Sequence, residues 1–100
     1  MKSSWEVGIA RMSNLQSPRK QIVSTLFDDG DGVLVDLNSR RYYQLNESAM
    51  MVWTGLEKGH AVPEIVSEMT STFSVSPEHA VKSVENILRD FQANNLLQES

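Results

Sequence analysis

The stretch from residue 33 to residue 46, reading VLVDLNSRRYYQLN, constrains the fold of this chain more than any other. It holds two short runs, 33–37 and 41–45, whose β-branched, aromatic and other apolar residues favour strands. The connection at 38–40 is polar and begins with asparagine, which tolerates the positive φ that tight turns require. The pattern therefore predicts a β-hairpin. Asn46 follows where a helix N-cap belongs, so the hairpin should lead directly into a helix.

A further strand is predicted before the hairpin. Residues 21–27 have strand composition, and the acidic, glycine-containing run 28–32 is typical of a turn. A calcium loop is the alternative, but its ligands would have to continue at alternate positions, and the apolar residues 33–35 interrupt them. A solvated hairpin turn is thus expected. The sequence predicts three successive antiparallel strands at 21–27, 32–37 and 41–45.

The rest of the chain shows helical spacing. A first helix is predicted at about 47–58 and a second at 63–73, where proline suits the first helical position. The third and longest is capped by Ser76 and ends at Asn94 and Asn95. The fold class predicted is α+β, a winged helix-turn-helix with a three-stranded antiparallel sheet followed by three helices.

Length and composition limit the function classes. A chain of 100 residues without cysteine forms one domain and excludes disulfides, thiol catalysis and zinc-thiolate sites. No apolar run approaches the ~20 residues of a membrane span, and no signal peptide is present, so a cytoplasmic protein without membrane contact is expected. Residues 1–17 are interpreted as an N-terminal arm or tail, with a strand, a docking arm and a mobile tail left open. The domain proper is placed at 18–100.

Catalytic and metal-binding patterns are not found. His60 and His79 lie far apart and outside any metal-ligand spacing, and neither a phosphate-binding glycine loop nor a nucleophile elbow is present. We therefore expect no enzyme activity, no cofactor and no metal.

A winged helix could read DNA with its third helix, and the charge of that helix tests the idea. It carries Lys82 and Arg89 against Glu78, Glu85 and Asp90, so its net charge is negative. Phosphate binding needs cations, so a DNA-binding regulator is kept only as an alternative and no nucleic-acid partner is expected.

Peptide binding is the competing role. The strand at 41–45 ends the predicted meander, and the unpaired backbone groups of such an edge can accept an extended peptide as a further strand. Tyr42 and Tyr43 point to opposite faces, so one should pack on the helices and the other should be accessible. The same edge could instead pair with a second copy, which makes a self-associating module the other alternative.

The run GVLVDLNSRRYYQLNESAMMVW, continued by EKGHAVPEIVSEMTSTFSVSPEHAVKSVENILRDFQANNLL, resembles the PqqD-like proteins. The resemblance covers about residues 18–98, and its most specific parts are the VLVDL…RYYQLN hairpin, Trp53 and the closing Asn-Asn-Leu-Leu. It implies a non-catalytic element that binds the leader of a ribosomally made precursor peptide and presents it to a modifying enzyme or leader peptidase. The RYY form is more similar to free-standing members, including those of lasso-peptide pathways, than to the version serving pyrroloquinoline quinone synthesis.

The resemblance also implies where the leader binds: it adds to the third strand and packs against the third helix. The expected peptide-binding residues are Arg41, Tyr42, Tyr43, Gln44, Leu45, Lys82, Val84, Ile87, Leu88, Arg89 and Phe91. Ile87, Leu88 and Phe91 would line the apolar part, while Arg40, Arg41, Lys82 and Arg89 would be available to acidic leader residues. Family hairpins often have glycine where this chain has Arg40, so the turn should differ. The expected state is a monomer or weak homodimer.

Overall fold

The computed structural model describes residues 17–98, and the main elements follow the predicted order of three strands and three helices. A two-residue strand at each end was not predicted. The elements are β1 (Ser17–Pro18), β2 (Ile22–Leu26), β3 (Gly32–Asp36), β4 (Arg41–Leu45), α1 (Glu47–Glu57), α2 (Val62–Phe73), α3 (Pro77–Ala93) and β5 (Leu97–Gln98).

Strands β2, β3 and β4 form an antiparallel meander with β3 in the middle. Alternate residues of β3 are buried, because they face the helices, and Leu34 is fully buried among them. We call this the inner face of the sheet. The prediction of an α+β fold with a three-stranded antiparallel sheet followed by three helices is confirmed.

The helices begin at the predicted caps. The Asn46 side chain accepts a hydrogen bond from Ala49 N at 2.9 Å, and Ser76 Oγ accepts one from His79 N at 3.2 Å. Each bond satisfies a backbone donor that the first turn of a helix leaves unpaired. Because Asn46 directly follows β4, its cap fixes the point at which the edge strand becomes helix α1.

A single apolar cluster joins the three helices to the inner face of the sheet. Trp53 of α1 lies at its centre and is fully buried, and α1 approaches α2 closely at Gly55, where a Cβ atom would lie 2.7 Å from Ile65 Cγ1. Leu96 and Leu97 are also buried in this cluster. The core thus holds α3 at a fixed position relative to β4.

The β3–β4 turn is organised by Asp36, a buried polar residue. Its Oδ1 accepts hydrogen bonds from Asn38 N at 2.9 Å and Ser39 N at 3.3 Å, and its carbonyl accepts one from Arg40 N at 2.7 Å. Arg40 has φ 61°, a left-handed conformation that favours glycine. The arginine therefore occupies the backbone geometry that a glycine would have at this position.

The two ends of the described region are tied together. Ser17 pairs with Gln98 in the β1–β5 sheet, and Arg19 N donates to Leu96 O at 3.0 Å. The sequence places Ser17 in the N-terminal arm, whereas the structure pairs it with the end of the domain. The remainder of that arm, residues 1–16, lies outside the described residues.

Candidate functional site

A groove of about 480 Å³ lies between β4 and the C-terminal half of α3. One side is the edge strand, the other is a row of α3 side chains, and the start of α1 and the segment before β5 complete it. It is lined by Tyr42, Tyr43, Gln44, Leu45, Asn46, Ala49, Ile87, Asp90, Phe91, Asn94 and Leu96. The predicted edge strand and the predicted third helix thus meet at one concave surface.

The hydrogen bonds of β3 show which backbone groups of the sheet are paired. In antiparallel strands, successive residues point their N–H and C=O groups alternately to one neighbour and to the other. Phe27 N donates to Asp31 O at 2.8 Å, and Leu37 N donates to Gln21 O at 3.0 Å, at the two ends of the β2–β3 pair. Odd-numbered residues of β3 therefore bond to β2, and even-numbered residues such as Leu34 bond to β4.

The same alternation identifies the free groups of β4. Leu34 faces Tyr43 in the β3–β4 register, so Tyr43 bonds to β3, as Arg41 and Leu45 do two positions away. Tyr42 and Gln44 then direct their N–H and C=O groups away from β3. Since β4 is the last strand of the sheet, these groups lie at its open edge, beside the groove.

Side-chain direction separates the two tyrosines. Tyr43 and Leu45 are half-buried and pack against the core on the inner face. Tyr42 is 74% exposed and belongs to the opposite face. This confirms the expectation that one tyrosine packs and the other is accessible, and it identifies Tyr43 as the packed one.

The opposite edge of the sheet has a different character. By the same alternation, Ser24 points its backbone groups away from β3, at the open side of β2. Its Oγ donates to the Glu57 carboxylate at 3.1 Å, so a charged side chain stands at this edge. Charged groups at an edge discourage the addition of another strand. The β2 edge thus carries a charged side chain, whereas the β4 edge opens onto the groove.

The structure brings together only part of the predicted site. Ile87 and Phe91 line the groove with Tyr42, Tyr43, Gln44 and Leu45. Val84 and Leu88 are 1% and 2% exposed, and they belong to the core and not to the groove lining.

The predicted cations lie elsewhere on the surface. Lys82, Arg89, Arg40 and Arg41 are exposed and do not line the groove. Arg89 Nη1 instead donates to Asn86 Oδ1 at 3.4 Å on its own helix. These side chains remain available only to parts of a ligand that extend beyond the groove.

Sequence reasoning missed the polar side of the groove. The groove is lined by three residues of α3 and by the C-cap of that helix: Ile87, Asp90, Phe91 and Asn94, at spacings i, i+3, i+4 and i+7, which form one face of a helix. A search for apolar residues retains two of these four positions. The helical row itself is the signal that could have identified Asp90 and Asn94.

Within residues 17–98, no helix is both long and apolar enough to cross a membrane. The same residues contain no group of three or more histidine and acidic side chains placed to hold a metal ion.

Comparisons with known proteins find a matching family and similar solved structures. The family model of coenzyme PQQ synthesis protein D (PqqD) matches residues 31–97. Among solved structures, TbiB1 in complex with the TbiA(beta) leader peptide is similar, with a TM-score of 0.74 and 27% identity over 81% of this chain and 93% of that one. Lasso peptide synthetase B1 complexed with the leader peptide has a TM-score of 0.72 and 26% identity, over 82% and 95% of the two chains.

No curated protein sequence matches this chain. The family match, however, spans β3, β4, all three helices and Leu97, and it confirms the resemblance inferred from the hairpin and the helices. The chain belongs to the PqqD family.

Proposed function

We propose that this protein binds the leader segment of a ribosomally made precursor peptide as an additional strand on β4. The observation that carries the proposal is the open edge at Tyr42 and Gln44, directly beside a groove of about 480 Å³. It is supported by the two similar structures, TbiB1 and lasso peptide synthetase B1, each of which is a complex with a leader peptide.

The side chains of an added strand would point alternately to the two faces of the sheet. Guest residues opposite Tyr43 and Leu45 share the inner face and point into the groove. Guest residues opposite Tyr42 and Gln44 point to the outer face, where the Tyr42 ring is exposed. Specificity then comes from every second guest residue, while backbone pairing is independent of sequence.

The energetic terms are adequate for such binding. The N–H and C=O groups of Tyr42 and Gln44 offer four backbone hydrogen bonds, each contributing about 0.5–1.5 kcal/mol net. A large apolar side chain buried against Ile87 and Phe91 adds about 1.5–3 kcal/mol. Ordering an extended peptide opposes these gains. The balance favours a leader that places at least one large apolar residue in the groove.

The proposed role of the protein in its pathway requires only that it bind the precursor peptide. The groove supplies amides, tyrosines, apolar side chains and one carboxylate, an arrangement suited to holding a peptide and not to breaking a bond. We infer that it is non-catalytic and hands the precursor to a modifying enzyme or leader peptidase, in a lasso-peptide or related pathway. Because such precursors are made on ribosomes, the protein is expected to act in the cytoplasm. We expect it to be a monomer or weak homodimer.

Amide hydrogen exchange tests strand addition residue by residue. In the free protein, the amides of Tyr42 and Gln44 should exchange quickly, whereas those of Tyr43 and Leu45 should already be slow. Once a short precursor gene has been found in the genomic neighbourhood, addition of its synthetic leader peptide should slow exchange at Tyr42 and Gln44. Binding without protection at these two amides would contradict strand addition, and no binding at all would contradict the function.

A further inference from the structure

We infer that Asp90 selects leader peptides that place a lysine or arginine in the groove. The inference rests on the proposed function, because it concerns the same site, and it names the chemistry of the peptide bound there. It also reverses the expectation that acidic leader residues are favoured, which came from cations that lie outside the groove.

The charge of the groove comes from one side chain. Among the residues that line it within the described part of the chain, Asp90 carries the single formal charge. The other polar members, such as Asn46 and Asn94, are neutral. A peptide in the groove therefore meets a negative potential that no nearby lining residue offsets.

The Asp90 carboxylate is free to take a partner. Within residues 17–98 it accepts no hydrogen bond, and its neighbour Arg89 donates to Asn86 instead. Asn94 Nδ2 donates to the Asp90 backbone carbonyl at 2.9 Å, so the remaining polar atom of that amide is the acceptor Oδ1. Asp90 and Asn94 thus provide acceptor oxygens on one side of the groove.

The apolar neighbours suit a long basic side chain. Ile87 and Phe91 flank Asp90 on the same helical face, so the methylene stem of lysine or arginine can lie on them while its charged end reaches the carboxylate. Only guest residues opposite Tyr43 or Leu45 point into the groove. The basic residue must therefore lie an even number of positions from the apolar residues that enter the groove.

The size of the preference follows from exposure. Asp90 is exposed, and ion pairs in water contribute little, so a basic residue should improve binding roughly two- to fivefold over a neutral one. The preference should weaken as salt is raised, because mobile ions screen exposed charges.

A random 14-residue peptide library displayed on messenger RNA provides the probe, since it requires no knowledge of the natural leader. The full chain, Asp90→Asn and Asp90→Lys are used for selection at low salt. Glu85→Gln is the control, because Glu85 lies on the same helix and outside the groove. Thermal melting monitored by circular dichroism verifies that the variants fold.

The unaltered chain and Glu85→Gln should enrich lysine or arginine at one groove-facing position, two or four residues from an enriched apolar residue. Asp90→Asn should lose this enrichment, and Asp90→Lys should replace it with aspartate or glutamate. The inference would be overturned if the enriched peptides showed no charge preference, or if the preference for lysine or arginine persisted with Asp90→Asn. Either result would leave peptide binding intact. A selection that enriches no peptide would overturn both.

Discussion

Trp53 and Phe91 meet edge to face, with ring centroids 5.4 Å apart and an interplanar angle of 90°. Trp53 is on α1 and fully buried, whereas Phe91 is on α3 and also lines the groove. The contact therefore connects the core to the floor of the groove. Aromatic pairs in this geometry add to the stability that burial provides.

Phe91→Ala should lower the free energy of unfolding by about 3–5 kcal/mol, because it removes a buried ring and leaves a cavity beside Trp53. Phe91→Leu keeps most of the apolar volume and should cost clearly less. Urea unfolding followed by tryptophan fluorescence measures both. Equal losses for the two variants would show that the lost ring contact, and not the cavity, determines the cost.

Gln44→Pro should leave the sheet folded and weaken leader binding roughly tenfold or more, because proline removes an N–H group at the open edge. Tyr43→Pro is the matched control, since the Tyr43 N–H bonds to β3 and its loss should unfold the domain. Circular dichroism and fluorescence anisotropy with labelled leader peptide distinguish these effects. A folded Gln44→Pro variant that binds at full affinity would exclude strand addition at β4.

Arg40→Gly should raise the free energy of unfolding by roughly 0.5–1 kcal/mol. Arg40 has φ 61°, and the strain that glycine relieves exceeds the entropy that it adds to the unfolded chain. Arg40→Val should be destabilising, because a β-branched residue tolerates this conformation poorly. Thermal unfolding of the three proteins gives the order, and the reverse order would mean that the turn has another geometry in solution.

Gly32→Ala should destabilise the domain by about 1–3 kcal/mol, because its Cβ would lie 2.6 Å from Thr25 O and 2.5 Å from Met50 Sδ. Combining it with Met50→Ala tests which contact matters: the methionine can move, whereas the Thr25 carbonyl belongs to the neighbouring strand. Urea unfolding of the single and double variants provides the comparison. A double variant as stable as Met50→Ala alone would show that the Met50 side chain is the only source of the conflict.

Much of the fold could be predicted because its signals are local. Asn46 and Ser76 act as caps through backbone groups three residues away, and the two runs of the hairpin lie next to each other in sequence. The strands β1 and β5 could not be found in the same way. Each has two residues, and they pair across about eighty positions of the chain, so neither shows a periodic pattern.

The site was predicted less completely because helical spacing cannot distinguish the core from the wall of a groove. Val84 and Leu88 share the apolar character of Ile87, yet the first two are buried among the helices while Ile87 faces the groove. Which members of the stripe lie at its border depends on how α3 packs against β4. Asp90 is at this border and is polar, so a pattern of apolar residues omits it.

The alternation along β4 restricts the register in which a precursor peptide could pair with it. A guest that slips by one residue exchanges the side chains that enter the groove with those that face solvent, so such a slip is strongly opposed. Slips of two residues, about 6.6 Å of chain, keep the pattern. The segment that follows a bound leader would therefore extend from the domain by lengths that differ in steps of two residues.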